Sequence, residues 1–184
     1  MRPELYNMPT TTYRTYDEVI QTCQSIFEQK TKDYGTAWRI LRLPSITDQI
    51  MIKAQRIRTI QEKGNQQVAE NIDTELIGII NYSIIALIQL TLPAGAPVEI
   101  SYQELAPLYE EVIRTTKALQ HAKNHDYGEA WKEMRLSSMI DIILMKLLRI
   151  KRIEDNQGNT LISEGVSPNY QDIINYAVFS LLKI

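Results

Sequence analysis

One phrase occurs twice in this chain: Lys32-Asp33-Tyr34-Gly35-Thr36-Ala37-Trp38 returns as His125-Asp126-Tyr127-Gly128-Glu129-Ala130-Trp131. The register holds beyond it. Arg42 and Arg135, Asp48 and Asp141, Lys53 and Lys146, and Arg56 and Arg149 all stand 93 residues apart. After a slip of one residue, Gly64 and Gly158, Glu70 and Glu164, Asn81 and Asn175, and Tyr82 and Tyr176 stand 94 apart. An internal duplication over most of 184 residues constrains the fold strongly. Two copies of one small unit bury their apolar faces best against each other, around a shared core. Positions kept in both copies are those where the unit tolerates least, for packing or for chemistry.

The repeated unit reads as helical, since no run alternates Val, Ile and Thr between tight hairpin turns. Thr15-Tyr16-Asp17-Glu18 and Ser101-Tyr102-Gln103-Glu104 have the form of a capping box, in which hydroxyl and glutamate satisfy backbone N–H groups reciprocally. They predict first helices over about 16–32 and 102–125, each ended where Gly35 or Gly128 takes a left-handed conformation. Second helices open at Leu43-Pro44-Ser45 and at Ser137 or Ser138, with Ile46, Ile50 and Ile57 in one and Ile143, Leu147 and Ile150 in the other at helical spacing. Polar turns at Gly64-Asn65 and Gly158-Asn159 close them. Third helices are predicted over about 72–91 and 168–184, the latter with Pro168 at the first helical position. The expected fold is all-α: a pseudo-twofold helical bundle of two tandem three-helix repeats, 1–92 and 101–184. A linker, 93–100, is broken by Pro93, Gly95 and Pro97, and the whole forms one compact body with the apolar third helices at its centre. Such a fusion does in one chain what a symmetric homodimer does with two, and further homo-oligomerisation stays open.

A net charge of −2 argues against broad coating of nucleic acid, which needs a strongly basic face, but leaves room for a local cationic pocket. The single cysteine, Cys23, excludes an intrachain disulfide and a cysteine zinc cluster. The expected location is a reducing, cytoplasmic one, with no signal-peptide pattern at the N-terminus. The apolar stretch from Ile77 to Leu92 carries Asn81, Tyr82, Ser83 and Gln89 and reads as a buried core helix, not a membrane span. His121 and His125 share a helix face, but the aligned Glu28 and Lys32 place that pair outside the common unit.

Some repeated residues are poorly explained by packing alone. Asp33 and Asp126 put a carboxylate at the negative end of a helix dipole, so a cation, a backbone N–H or a ligand is expected to hold each. Lys53 with Arg56, and Lys146 with Arg149, lie on one helix face; a solvated ion-paired face and a phosphate grip both remain open. Acids gather at the start of the third helices: Glu70, Asp73 and Glu75 in one copy, Glu164 and then Asp172 in the other, where Ser167 replaces Asp73 and Gly78 aligns with Asp172. Such clusters complement a helix N-terminus or hold Mg²⁺ through oxygen ligands. Asn81 and Asn175, in apolar helices, must be hydrogen-bonded; pairing across the pseudo-twofold is the first reading and contact with a base edge the second.

In combination these elements, Lys/His-Asp-Tyr-Gly-x-Ala-Trp, then Lys-x-x-Arg, then Glu and Asn-Tyr, resemble the family called nucleotide modification associated domain 1, over nearly the whole chain and twice. The resemblance implies a helical domain acting in nucleotide or modified-base metabolism. More distantly the pattern is similar to the all-α nucleoside triphosphate pyrophosphohydrolases of the MazG and dimeric dUTPase type, in which paired acidic motifs hold Mg²⁺ and a water attacks the triphosphate. Glu70-x-x-Asp73 matches one such motif, whereas the second copy has Glu164-x-x-Ser167. The likeness implies Glu70 and Asp73 as metal ligands, with Asp33, as catalytic acids. It implies a nucleotide or nucleoside phosphate as partner, held by Lys53 and Arg56 with Tyr34 or Trp38 stacking on the base. Asp126, Tyr127, Trp131, Lys146 and Arg149, with Glu164 and Asp172 as further metal ligands, would form the pseudosymmetric second site. A Mg²⁺-dependent nucleotide pyrophosphohydrolase is the first reading, a non-catalytic nucleotide-binding or partner protein the second, and a helical scaffold the third.

Overall fold

The computed structural model describes residues 12–63 and 72–184. Among them stand six α-helices: α1 Tyr16–Tyr34, α2 Leu43–Lys63, α3 Ile72–Thr91, α4 Tyr102–Tyr127, α5 Leu136–Asp155 and α6 Val166–Lys183. A short 3-10 turn joins the first and second helix of each repeat, Ala37–Ile40 and Ala130–Glu133, and the described residues hold no strand. The chain is therefore all-α, two tandem three-helix repeats.

The helix ends show why. At α4, Ser101 Oγ accepts from Glu104 N at 3.3 Å and Glu104 Oε2 accepts from Ser101 N at 3.4 Å, a complete capping box. At α1 only half of it forms: Thr15 Oγ1 accepts from Glu18 N at 3.2 Å, but Glu18 reaches one residue further back, to Arg14 N at 2.8 Å. Both first helices run two residues beyond the expected stop. Gly35 ends α1 at φ 62°, ψ −146° and Gly128 ends α4 at φ 64°, ψ −161°. The positive φ is as expected, but the ψ lies outside the left-handed helical well, in a region open essentially to glycine alone. Asn or Asp could not substitute here as they do in ordinary left-handed caps.

Helices α2, α3, α5 and α6 form the central bundle: α3 packs on α6, α2 on α5, and α2–α3 and α5–α6 pair within each repeat. α1 lies across α6 and α3, and α4 across α3 and α6, each first helix straddling both repeats. Ile79, Ile80, Ile84 and Ile88 of α3 meet Ile173, Ile174, Ala177 and Val178 of α6 in one buried cluster. Each fully buried isoleucine contributes about 1.5–3 kcal/mol relative to exposure. By length and apolarity α3 would also pass for a membrane span; here those side chains form the core of the bundle.

The two repeats are stitched by matched polar contacts. α2 and α5 run antiparallel, so Asp48 reaches Lys151 at 3.1 Å while Asp141 reaches Arg58 at 3.6 Å. This accounts for the repeated aspartates at 48 and 141, although exposed pairs contribute at most about 1 kcal/mol each. The core asparagines do not pair with one another. Asn81 accepts from Tyr109 OH at 2.9 Å and donates to Cys23 O at 3.0 Å. Asn175 accepts from Tyr16 OH at 2.8 Å and donates to Thr116 O at 3.3 Å.

The linker is docked. Arg39 donates to Ala96 O at 2.9 Å and Pro97 O at 3.2 Å, and Ile100 N donates to Thr36 Oγ1 at 3.0 Å. Gln89 Nε2 holds Leu41 O at 3.1 Å, and the aligned Lys183 holds Met134 O at 2.5 Å, so each third helix clamps the turn that carries its repeat's tryptophan.

Candidate functional site

A cavity of about 560 Å3 lies wholly within the first repeat. Its walls come from the end of α1, the Trp38 turn, α2 through Lys53, and the face of α3 from Thr74 to Ile85. Three features set its chemistry. Tyr34, Trp38 and Tyr82 supply aromatic surface; Lys30 and Lys53 supply positive charge; Gly78 leaves the α3 wall without a side chain. Of two other depressions, the one beside α1, about 460 Å3, has Tyr13 but no lysine or arginine, and the one beside the linker, about 350 Å3, sets Lys32 and Tyr102 next to the Glu99 carboxylate.

Tyr34 is 70 % exposed, because Gly35 turns the chain away and leaves the ring at the rim instead of in the core. Trp38 packs half-buried against the core. Its indole N–H is sealed from water without a partner, as is that of Trp131, so Trp38 offers the cavity ring surface, not a donor. Lys53 Nζ lies 5.9 Å from the centroid of the Tyr82 ring, within cation–π range. Asn81 lines the cavity too. Its carbonyl and amide already serve Tyr109 and Cys23, so its established role is structural.

The basic positions have different surroundings in the two repeats. In the first, Glu75 of α3 is 4 % exposed and takes both Arg56, in a close contact, and Lys53, at 3.5 Å. In the second, Lys146 pairs with Asp172 at 2.8 Å, Lys123 pairs with the same carboxylate at 2.5 Å, and Arg149 is exposed. Glu75 aligns with Asn169 and Gly78 with Asp172, so the buried acid has moved one helical turn between the repeats. A buried carboxylate is retained only with partners, and each repeat keeps one, placed differently. In the second repeat Phe179 stacks on Trp131 at 4.6 Å and 3°, where the first repeat has Ile85 lining its cavity.

The remaining candidates are scattered. Asp33 and Asp126 are exposed in the last turns of α1 and α4. Asp126 meets only His125, at 3.2 Å, and Asp33 has no ion pair among the described residues. Asp33 does not line the cavity, and Tyr127 is 78 % exposed. Asp73 caps Thr74 N at 2.9 Å beside the cavity wall. Glu70 lies outside the described residues, and Glu164 is exposed in the loop before α6. Among the described residues no three His, Cys, Asp or Glu side chains gather closely enough to share a metal ion. The sequence alone singles out neither Lys30 nor the role of Glu75 as the partner of Lys53 and Arg56. Lys30 recurs as Lys123 at the common offset, a signal that was available. Glu75 stands among the acids at the start of the third helix, but its counterpart is Asn169, so comparison of the repeats does not mark it as a partner of the repeated basic pair.

A helical repeat made twice, with aromatic and cationic residues around one cavity, defines a duplicated all-α domain. The family model described as Nucleotide modification associated domain 1 matches residues 30–90 and again 123–184, more than half of the chain, and the chain belongs to that family. No curated protein and no solved structure matches it.

Proposed function

We propose that the chain binds a nucleoside phosphate in the first-repeat cavity, the base against Tyr34, Trp38 and Tyr82 and the phosphate towards Lys53 and Lys30. The observation that carries this reading is the convergence of aromatic surface and two lysines on one 560 Å3 cavity, in a family named for nucleotide modification. The volume suits a small ligand. An aromatic ring accepts any base face, and lysine meets phosphate as a compact point charge.

One feature supports catalysis as the second reading. Asp73 flanks the cavity-wall residue Thr74, with Glu70 three residues earlier in the chain. A Mg²⁺ ion here would draw on Asp73, on Glu70 and on the ligand's own phosphate oxygens, since Mg²⁺ commonly takes few protein ligands; when bound it supplies charge neutralisation for attack on the phosphate. The chain's own part would be to orient the nucleotide and balance its charge through Lys53.

A thermal-shift screen against a nucleotide panel, each with Mg²⁺ and with EDTA, tests both readings, because a ligand that binds only the native state raises the melting temperature. A nucleotide shift that survives EDTA supports binding without metal. A shift that needs Mg²⁺, with pyrophosphate release lost in Glu70→Gln, supports the hydrolase. No shift across the panel rejects both.

A further inference from the structure

The second repeat shows what the first one lacks. There, Lys123 of α4 and Lys146 of α5 close on the Asp172 carboxylate at 2.5 and 2.8 Å. The first repeat keeps both lysines, as Lys30 and Lys53, and both line the cavity. Gly78 lines the same cavity and brings no carboxylate. A Cβ built on Gly78 would meet Lys53 Cε at 2.9 Å and Nζ at 3.2 Å, so the ammonium lies over the point from which Asp172 projects in the second repeat. The first repeat's own buried acid, Glu75, is a turn away and shared with Arg56. It leaves Lys53 a contact of 3.5 Å and Lys30 with no ion pair among the described residues.

We propose that the Gly78 wall beside Lys53, in the cavity that Lys30 also lines, is the seat of the ligand's phosphate, and that the second repeat is an internally plugged copy whose Asp172 carboxylate and Phe179 ring occupy the matching anion and base places. This rests on the nucleotide-binding reading of the first-repeat cavity and adds the position of the anion, its partners and a stoichiometry of one ligand per chain. The physical reason is substitution: Lys53 and Lys146 are half-buried beside the exposed Lys30 and Lys123, and a partly desolvated ammonium favours an anion beside it. In the second repeat the chain supplies it, and in the first the ligand's phosphate does. Phe179 stacked on Trp131 at 4.6 Å takes the aromatic contact that a base would make, whereas Ile85 leaves Trp38 open to the cavity.

The test is calorimetric titration of the full chain with inorganic pyrophosphate, which carries the anion and no base, and separately with a nucleoside triphosphate. Gly78→Ala adds the Cβ alone; Gly78→Asp adds the Cβ and the carboxylate. The atoms that a Cβ would meet are the flexible end of Lys53, so both variants should fold, as far-UV circular dichroism would check. Wild type is expected to bind pyrophosphate at one site. Gly78→Ala should stay within about threefold of it, and Gly78→Asp should lose about tenfold or more, since a like charge at the seat is repelled. Asp172→Gly combined with Phe179→Ile should add a second site. Equal affinities of Gly78→Asp and wild type, equal losses in Gly78→Ala and Gly78→Asp, or a double variant that folds and still binds one ligand would each overturn the proposal. If the double variant does not fold, the Gly78 pair decides. Nucleotide binding without any pyrophosphate binding rejects the seat but keeps the nucleotide reading; binding of neither rejects both.

Discussion

Tyr109 donates its hydroxyl to Asn81 across the boundary between the repeats, at 2.9 Å, and Tyr16 does the same for Asn175 at 2.8 Å. The asparagine of each third helix is thus satisfied by the first helix of the opposite repeat. Burial raises the pKa of both tyrosines, keeping them neutral donors. Asn81→Ala leaves a buried hydroxyl without its acceptor and should cost about 1–3 kcal/mol. Tyr109→Phe should cost a similar amount, and the double variant clearly less than the sum, by about 1 kcal/mol. A urea-denaturation cycle checks this; strict additivity would mean that the bond carries no coupling.

The same exchange decides what half the chain does alone. A fragment of residues 1–92 has Asn81 but lacks Tyr109, and its third helix exposes the face meant for α6. Because Tyr16 occupies the position matching Tyr109, two fragments can rebuild both contacts around a true twofold. The expected outcome in sedimentation equilibrium is a folded dimer or an unfolded monomer. A stable folded monomer would contradict the shared-core account.

Burial pushes the Cys23 thiol up to about 12 and also raises Tyr16, Tyr109 and Tyr170. These groups hold their protons more tightly folded than unfolded. Stability should therefore be unaffected by them below the ordinary thiol range and should fall as pH rises from about 9 towards 12. Melting curves across that range check the slope, and Cys23 should resist alkylation at pH 8 until the protein unfolds.

Glu154 accepts from Thr47 at 2.6 Å while its other oxygen is buried without a partner, and burial raises its carboxyl pKa. A carboxyl raised in the folded state favours folding most at low pH, and that contribution is lost as pH rises through the folded value. Glu154→Gln, which installs the residue found at the aligned position Gln61, should raise the melting temperature at pH 7 and flatten the profile across the carboxylate range. A lower melting temperature at pH 7 would show that the charged form is favoured.

Much of this was legible in the sequence because duplication turns one chain into a comparison. The helices, their caps and the central third helices follow from periodicity and from Ser, Thr and Gly at the ends. The site was only partly legible. Lys53, Tyr34 and Trp38 repeat and were found; Lys30 repeats too, but sits in an ordinary polar helix face. Glu75 is visible as one of the clustered acids, but its pairing with Lys53 and Arg56 is not, because its counterpart is Asn169, and the exchange of Ile85 for Phe179 carries no motif at all. Differences between the copies, not identities, separate the cavity of the first repeat from the Asp172 and Phe179 contacts of the second. They acquire meaning only when the helices bring Gly78 under Lys53 and Phe179 under Trp131.

The chain has two tryptophans, one per repeat, and this permits the most direct measurement. Trp131→Phe leaves Trp38 as the sole reporter, and Trp38→Phe leaves Trp131. Each variant is titrated with deoxynucleoside triphosphates while indole emission is followed. Saturable quenching in the Trp131→Phe protein, with an unchanged spectrum in the Trp38→Phe protein, is the expected result. Quenching of Trp131, or no response from Trp38 at nucleotide concentrations that shift the melting temperature, would contradict a ligand site confined to the first repeat.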